Sequence, residues 1–97
     1  MKRCIFSSLA RTDFRNIHEY IAVHDLDAAL DLTTQIQLAC ENLAKMPEIG
    51  RKRDDLMPSL RSFPIGRYLI FYRLVQDDIE IVRILHSKQN VEDSFSE

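Results

Sequence analysis

The chain has little of what marks a stapled, fibrous or exported protein. Its 97 residues include two cysteines, two glycines, three prolines and no tryptophan. So few glycines and prolines, beside 45% hydrophobic and 29% charged residues, exclude a collagen-like repeat and a disordered low-complexity chain. No internal repeat is present. Long hydrophobic runs are absent as well. Lys2-Arg3 is followed by Cys4-Ile5-Phe6, and that run ends at Ser7, far short of an export-signal core. No later stretch has the length of a membrane span. These absences predict a soluble cytoplasmic protein with no membrane attachment. Cys4 and Cys40 stand far apart, at strand-like and helix-like apolar positions. They predict two buried reduced thiols, and neither a metal clamp nor a redox pair.

What is present suits one compact domain over residues 1–97, because a chain of this length buries roughly 60 to 68% of its unfolded surface. The net charge of -2 hides an uneven distribution. Residues 45–73 hold seven basic side chains (Lys45, Arg51, Lys52, Arg53, Arg61, Arg67, Arg73) against Glu48, Asp54 and Asp55, while the segments on either side are acidic. A basic middle could attract an acidic partner. A pI of about 5.9 argues against nucleic-acid binding by the chain alone, since phosphate neutralisation usually demands a basic domain.

A weak strand signal covers Lys2 to Phe6, with Ser7 or Ser8 as helix cap. Ala10, Phe14, Ile17 and Ile21 then recur at helical spacing and predict a helix from about Leu9 to Val23. Asp25 is placed to cap a second helix, in which Ala29, Leu32, Ile36, Cys40 and Leu43 repeat at three and four residues until Pro47 stops it. So tight a junction predicts an antiparallel hairpin. Arg51-Lys52-Arg53-Asp54-Asp55 has no apolar period and predicts an exposed basic loop. Leu60 to Ile65, Arg67 to Leu74 and Ile79 to His86 read as an antiparallel meander. Ile81 to Leu85 is apolar on both faces, which predicts a central strand. Ser87 to Glu97 reads as a polar tail anchored by Val91 and Phe95. The fold class is therefore α+β: strand, two-helix hairpin, then a three-stranded meander, with the hairpin on one sheet face. The other face, carrying Tyr68, Phe71, Tyr72, Arg73 and Arg83, reads either as a partner's binding surface or as further core.

Five segments in order carry a resemblance: Asp13 to Ile21, Met46-Pro47-Glu48-Ile49-Gly50-Arg51, Leu60-Arg61-Ser62-Phe63-Pro64, Arg67 to Arg73, and Ile81 to His86. Together they resemble the ParE branch of the ParE/RelE toxin superfamily. The resemblance implies a β-α-α-β-β-β toxin, held in a hetero-oligomer by a ParD-like ribbon-helix-helix antitoxin whose C-terminal segment wraps a hydrophobic groove. It implies a poison of DNA gyrase that acts by protein binding, with no cofactor, metal or catalysis. On this reading the target-binding candidates are Arg51, Lys52, Arg53, Arg61, Arg73, Arg83, His86 and Lys88. Those for the antitoxin are Phe14, Ile17, Tyr20, Ile21, Tyr68 and Tyr72. RelE-like relatives instead cut messenger RNA on the ribosome, which needs a base, phosphate-holding cations and an acid. Arg61, Arg83, His86 and Lys88 are candidates here, but the tail after His86 has no tyrosine, leaving Tyr68 or Tyr72 as substitutes. For Arg83 the other reading is a salt bridge to Glu80 or Asp93, and for His86 a backbone contact at a strand end. Ser87-Lys88-Gln89-Asn90 also departs from the basic pair and Asp that often follow the final His in ParE-like chains. An inactive toxin that only binds antitoxin is a third reading.

Overall fold

The computed structural model describes residues 3–96; Lys2, expected in the first strand, and Glu97, expected in the tail, lie outside them. Strand β1 (Cys4–Phe6) leads into helices α1 (Ser8–His24) and α2 (Leu26–Lys45). Strands β2 (Arg51–Lys52), β3 (Arg61–Ile65), β4 (Tyr68–Val75) and β5 (Asp78–His86) follow, and helix α3 (Val91–Phe95) ends the described chain. The caps are those the sequence predicts. The Ser7 hydroxyl accepts from Ala10 N at 3.0 Å and the Asp25 carboxylate from Ala28 N at 3.1 Å. Each satisfies an amide left without a partner in the first helical turn.

The sheet order is β1-β5-β4-β3-β2, antiparallel except for β1, which runs parallel to β5. Strand β5 is an interior strand flanked by β1 and β4, as its two apolar faces require. Strand β1 pairs only as far as Ile81, and helix α1 then continues the edge. The Ser7 hydroxyl donates to Val82 O at 2.8 Å, and the Asp13 carboxylate accepts from Ile84 N at 3.0 Å. Side chains thus replace a strand partner, as buried backbone groups demand.

The helical hairpin covers one face of the sheet, where Leu32, Ile36, Leu43, Ile70, Tyr72, Ile79, Ile81 and Ile84 close around Ala10. Simple alternation would put Val82 and Ile84 on one face. A bulge opposite Phe71/Tyr72 shifts the register. Ile81 and Ile84 therefore share the hairpin face, while Val82 and Leu85 turn to the other, because an extra residue reverses strand parity.

On that second face the structure decides for further core, one of the two readings left open by the sequence. It is not open for a partner: Leu56, Met57 and Leu60 cover it together with Val91 and Phe95, and the Phe95 ring stands on Phe71 at 5.0 Å, edge to face. The polar tail contains a short helix, α3, capped by Asn90; Val91 and Phe95 are its anchors, as predicted. Nor is the basic segment only a loop. Arg51 and Lys52 form β2 against Ser62 and Arg61, and Arg53 folds inward over the Phe71 ring, 5.9 Å from its centre, paired to Asp55.

Among the described residues no helix is long and apolar enough to cross a membrane, and no group of three or more His, Cys, Asp or Glu could hold a metal ion.

Candidate functional site

The residues singled out in the sequence fall in three places, strung along the β3–β4 ribbon. At one end α1 and α2 diverge from the sheet and leave a groove of about 980 Å³. Ile17, Tyr20 and Ile21 line it from α1, Leu32 from α2, and Ile65, Tyr68 and His86 from the strand ends. The strands turn here through Gly66, whose φ of 56° suits a residue without Cβ. Tyr68 is half-buried and meets the His86 ring edge to face, with centres 5.3 Å apart. His86 Nδ1 accepts from Lys88 N at 3.1 Å, so the backbone contact expected at this strand end is present. Tyr20 projects, 72% exposed, and Val23, Leu26 and Leu30 extend the apolar surface along the hairpin. Phe14 lies deeper, packed against the main core.

At the opposite end a smaller hollow of about 500 Å³ is lined by Lys52, Arg61 and Arg73 with Tyr72, Asp54 and Ser59. Arg61 Nη1 donates to Gly50 O at 2.8 Å and Glu48 O at 3.1 Å, while Arg73 meets Glu80 at 2.8 Å across the strands. Arg51 and Lys52 are exposed and form no ion pair among the described residues.

Tyr72 is not available to a partner. It is 1% exposed; its hydroxyl donates to Pro47 O at 2.9 Å and accepts from Gly50 N at 2.8 Å. Burial pushes its phenol up, against the opposing pull of the Gly50 N–H and the Arg61 charge. Gly50 is required by this contact. A Cβ there would lie 2.9 Å from Ser62 O and 2.7 Å from the Tyr72 ring.

Arg83 lies between the two ends and is also held inward. Its Nε and Nη2 grip both Asp13 carboxylate oxygens at 2.7 and 3.0 Å, and Nη1 reaches Ser94 O at 3.3 Å. The paired carboxylate raises the guanidinium pKa further. The sequence predicted a salt bridge but placed it on Glu80 or Asp93; Asp13, seventy positions away, could be found only through space.

The arrangement therefore yields an apolar groove bordered by Tyr68 and His86, a basic end made of Arg51, Lys52, Arg61 and Arg73, and two arginines, Arg53 and Arg83, whose charges are already paired with Asp55 and Asp13. Residues 4–91 match the family described as the ParE toxin of a type II toxin-antitoxin system, parDE. The chain belongs to this toxin family. It is 35% identical over 78 residues to Toxin ParE3 of Caulobacter vibrioides, covering 80% of this chain and 75% of that protein. It is 30% identical over 91 residues to Toxin ParE1 of the same organism, covering 93% and 94%. A chain from a chromosomal ParDE TA system of P. aeruginosa superposes with a TM-score of 0.74 at 20% identity, covering 89% of this chain and 96% of that one. One from the toxin-antitoxin complex RelBE2 of Mycobacterium tuberculosis gives 0.57 at 21%, covering 88% and 96%. Those two likenesses establish the shared fold.

Proposed function

We propose that this toxin inhibits DNA gyrase by binding it, without catalysis of its own, and is neutralised by a ParD-like antitoxin seated in the apolar groove. The observation that carries the non-catalytic reading is the dispersal of the nuclease candidates. Arg61 pairs with Tyr72 and His86 with Tyr68, so they stand at opposite ends of a β4 segment about 13 Å long at about 3.3 Å per residue. Arg83 is neutralised by Asp13, and Tyr72 is buried. An acid, a base and phosphate-holding cations must lie within hydrogen-bond reach of one scissile bond. These do not.

The groove supports the antitoxin assignment through its apolar lining and its projecting aromatic, features that suit an amphipathic helix laid across a hydrophobic cleft. Ile17, Tyr20, Ile21 and Tyr68 are its contacts, with His86 at its border. The basic end is the target surface: Arg51 and Lys52 carry free charge that steers an acidic partner, and Arg61 and Arg73 back them. Tyr72, Arg53 and Arg83 are removed from both sets.

The test is supercoiling of relaxed plasmid by gyrase with increasing purified toxin, scored for lost supercoiling and for trapped cleaved DNA. Inhibition at stoichiometric toxin is expected. No inhibition by a folded protein that still arrests growth would overturn the gyrase assignment, and ribosome-dependent RNA cleavage would be assayed next. A folded protein that neither inhibits nor arrests growth but binds antitoxin would be an inactive member of the family.

A further inference from the structure

The fold brings together the two cysteines that the sequence keeps apart. Cys4 lies on edge strand β1 and Cys40 on the second-last turn of α2. Both line one shallow cleft of about 420 Å³ with Phe6, Ile36, Gln37 and Glu41. The expectation of two buried reduced thiols is corrected for one of them: Cys40 is buried, whereas Cys4 is partly open to solvent, and both border the same cleft. We propose that Cys4 and Cys40 form a dithiol modification site, which a low-molecular-weight disulfide such as oxidised glutathione converts into an intramolecular disulfide joining β1 to α2. This inference is independent of the target and of the antitoxin.

The chemistry follows from unequal exposure: Cys4 is partly open to solvent and Cys40 is buried, so a small disulfide reaches Cys4 first. The Cys4 thiolate attacks one sulfur of the small disulfide; that S–S bond breaks, and one thiolate leaves and takes up a proton. Cys40, giving up its proton, then attacks the Cys4 sulfur of the mixed disulfide and expels the second small thiol. Two protein thiols have lost two electrons and two protons, and one small disulfide has become two thiols.

The backbone is favourable for closure. A disulfide needs the sulfurs to approach to about 2.05 Å, and β1 is a three-residue strand paired on one side only. The displacement falls on a short edge strand with a single neighbour. The cross-link would close a loop of roughly 37 residues containing α1 and most of α2, a length for which chain entropy predicts substantial stabilisation.

The experiment incubates the full-length protein with excess oxidised glutathione, alkylates residual thiols, and measures intact mass, peptide linkage and thermal melting. The expected result is a monomer lighter by two hydrogens that carries a Cys4–Cys40 linked peptide. Its Tm should be higher by on the order of 10 °C, reversed by dithiothreitol. Cys4→Ser and Cys40→Ser should each form at most a glutathione adduct and show no such rise. Wild-type protein that keeps both thiols alkylatable, or yields only glutathione adducts or chain-to-chain dimers, would overturn the proposal.

Discussion

The two ends of the β3–β4 ribbon are made from the same strands yet offer opposite surfaces. At the Gly66 end the helices diverge, and Ile17, Tyr20, Ile21 and Tyr68 face an apolar groove of about 980 Å³. At the other end the chain folds back through Pro47 and Gly50, and Lys52, Arg61 and Arg73 gather at a hollow half that size. The difference arises from what crosses each end. Hairpin helices leave unfilled apolar surface, whereas the returning segment presents carbonyls that arginines can bond. A toxin that must be held by one protein and act on another can use such a division, because each surface can change without disturbing its counterpart.

That separation depends on a common middle, and the largest effect should come from removing it. Arg83→Ala leaves the largely buried Asp13 carboxylate without its cation. Breaking a buried pair in this way costs about 3 kcal/mol, and thermal melting should fall by on the order of 15 °C, with antitoxin binding and growth arrest lost together. A variant that melts like wild type would show that the Asp13–Arg83 pair does not join the two ends.

At the groove, Tyr20→Ala removes an exposed ring and should leave stability within about 0.5 kcal/mol. If Tyr20 anchors the antitoxin, affinity measured by calorimetry should drop by roughly 30-fold, about 2 kcal/mol. Unchanged affinity would move the antitoxin elsewhere.

Tyr72→Phe probes the structural contribution of the basic end. It deletes a hydroxyl that satisfies Pro47 O and Gly50 N and should cost about 1 to 2 kcal/mol in urea unfolding. Burial holds the Tyr72 phenol above its ordinary value of 10.0. Its contribution is therefore complete below about pH 10 and is lost as pH rises through the folded value. The phenylalanine variant should show a smaller alkaline loss of stability than wild type; an identical loss would contradict the burial argument.

The smallest stability effect is expected from Arg51→Glu with Lys52→Glu. Both side chains are exposed, and unfolding should shift by less than about 0.5 kcal/mol. Only target inhibition should suffer.

Much of this was legible in the sequence because it is local. Ser7 and Asp25 announce their helices, Pro47 ends one, and the spacing of Phe14, Ile17 and Ile21 defines the buried face of α1, so the residues of the groove follow from helical period. The sheet's second face stayed between two readings because its cover is assembled from Leu56, Met57 and Phe95, residues with no shared period. The destinations of Arg83 and Cys40 were hidden for a related reason. Each partner is chosen through space, by how α1 lies along β5 and α2 along β1. The Phe71/Tyr72 bulge is a register event that alternation by itself cannot encode. Arg51 to Arg53 looks uniform as a string of charges, but two of its side chains face water and the third stacks on Phe71.

The most direct test of the two-surface account is one gyrase supercoiling titration run side by side with wild-type protein, Tyr20→Ala, and the Arg51→Glu, Lys52→Glu double variant. The account predicts that the groove variant inhibits like wild type and that the basic-end variant needs at least tenfold more protein. Equal inhibition by the double variant, or loss of inhibition in Tyr20→Ala with its fold intact, would contradict it.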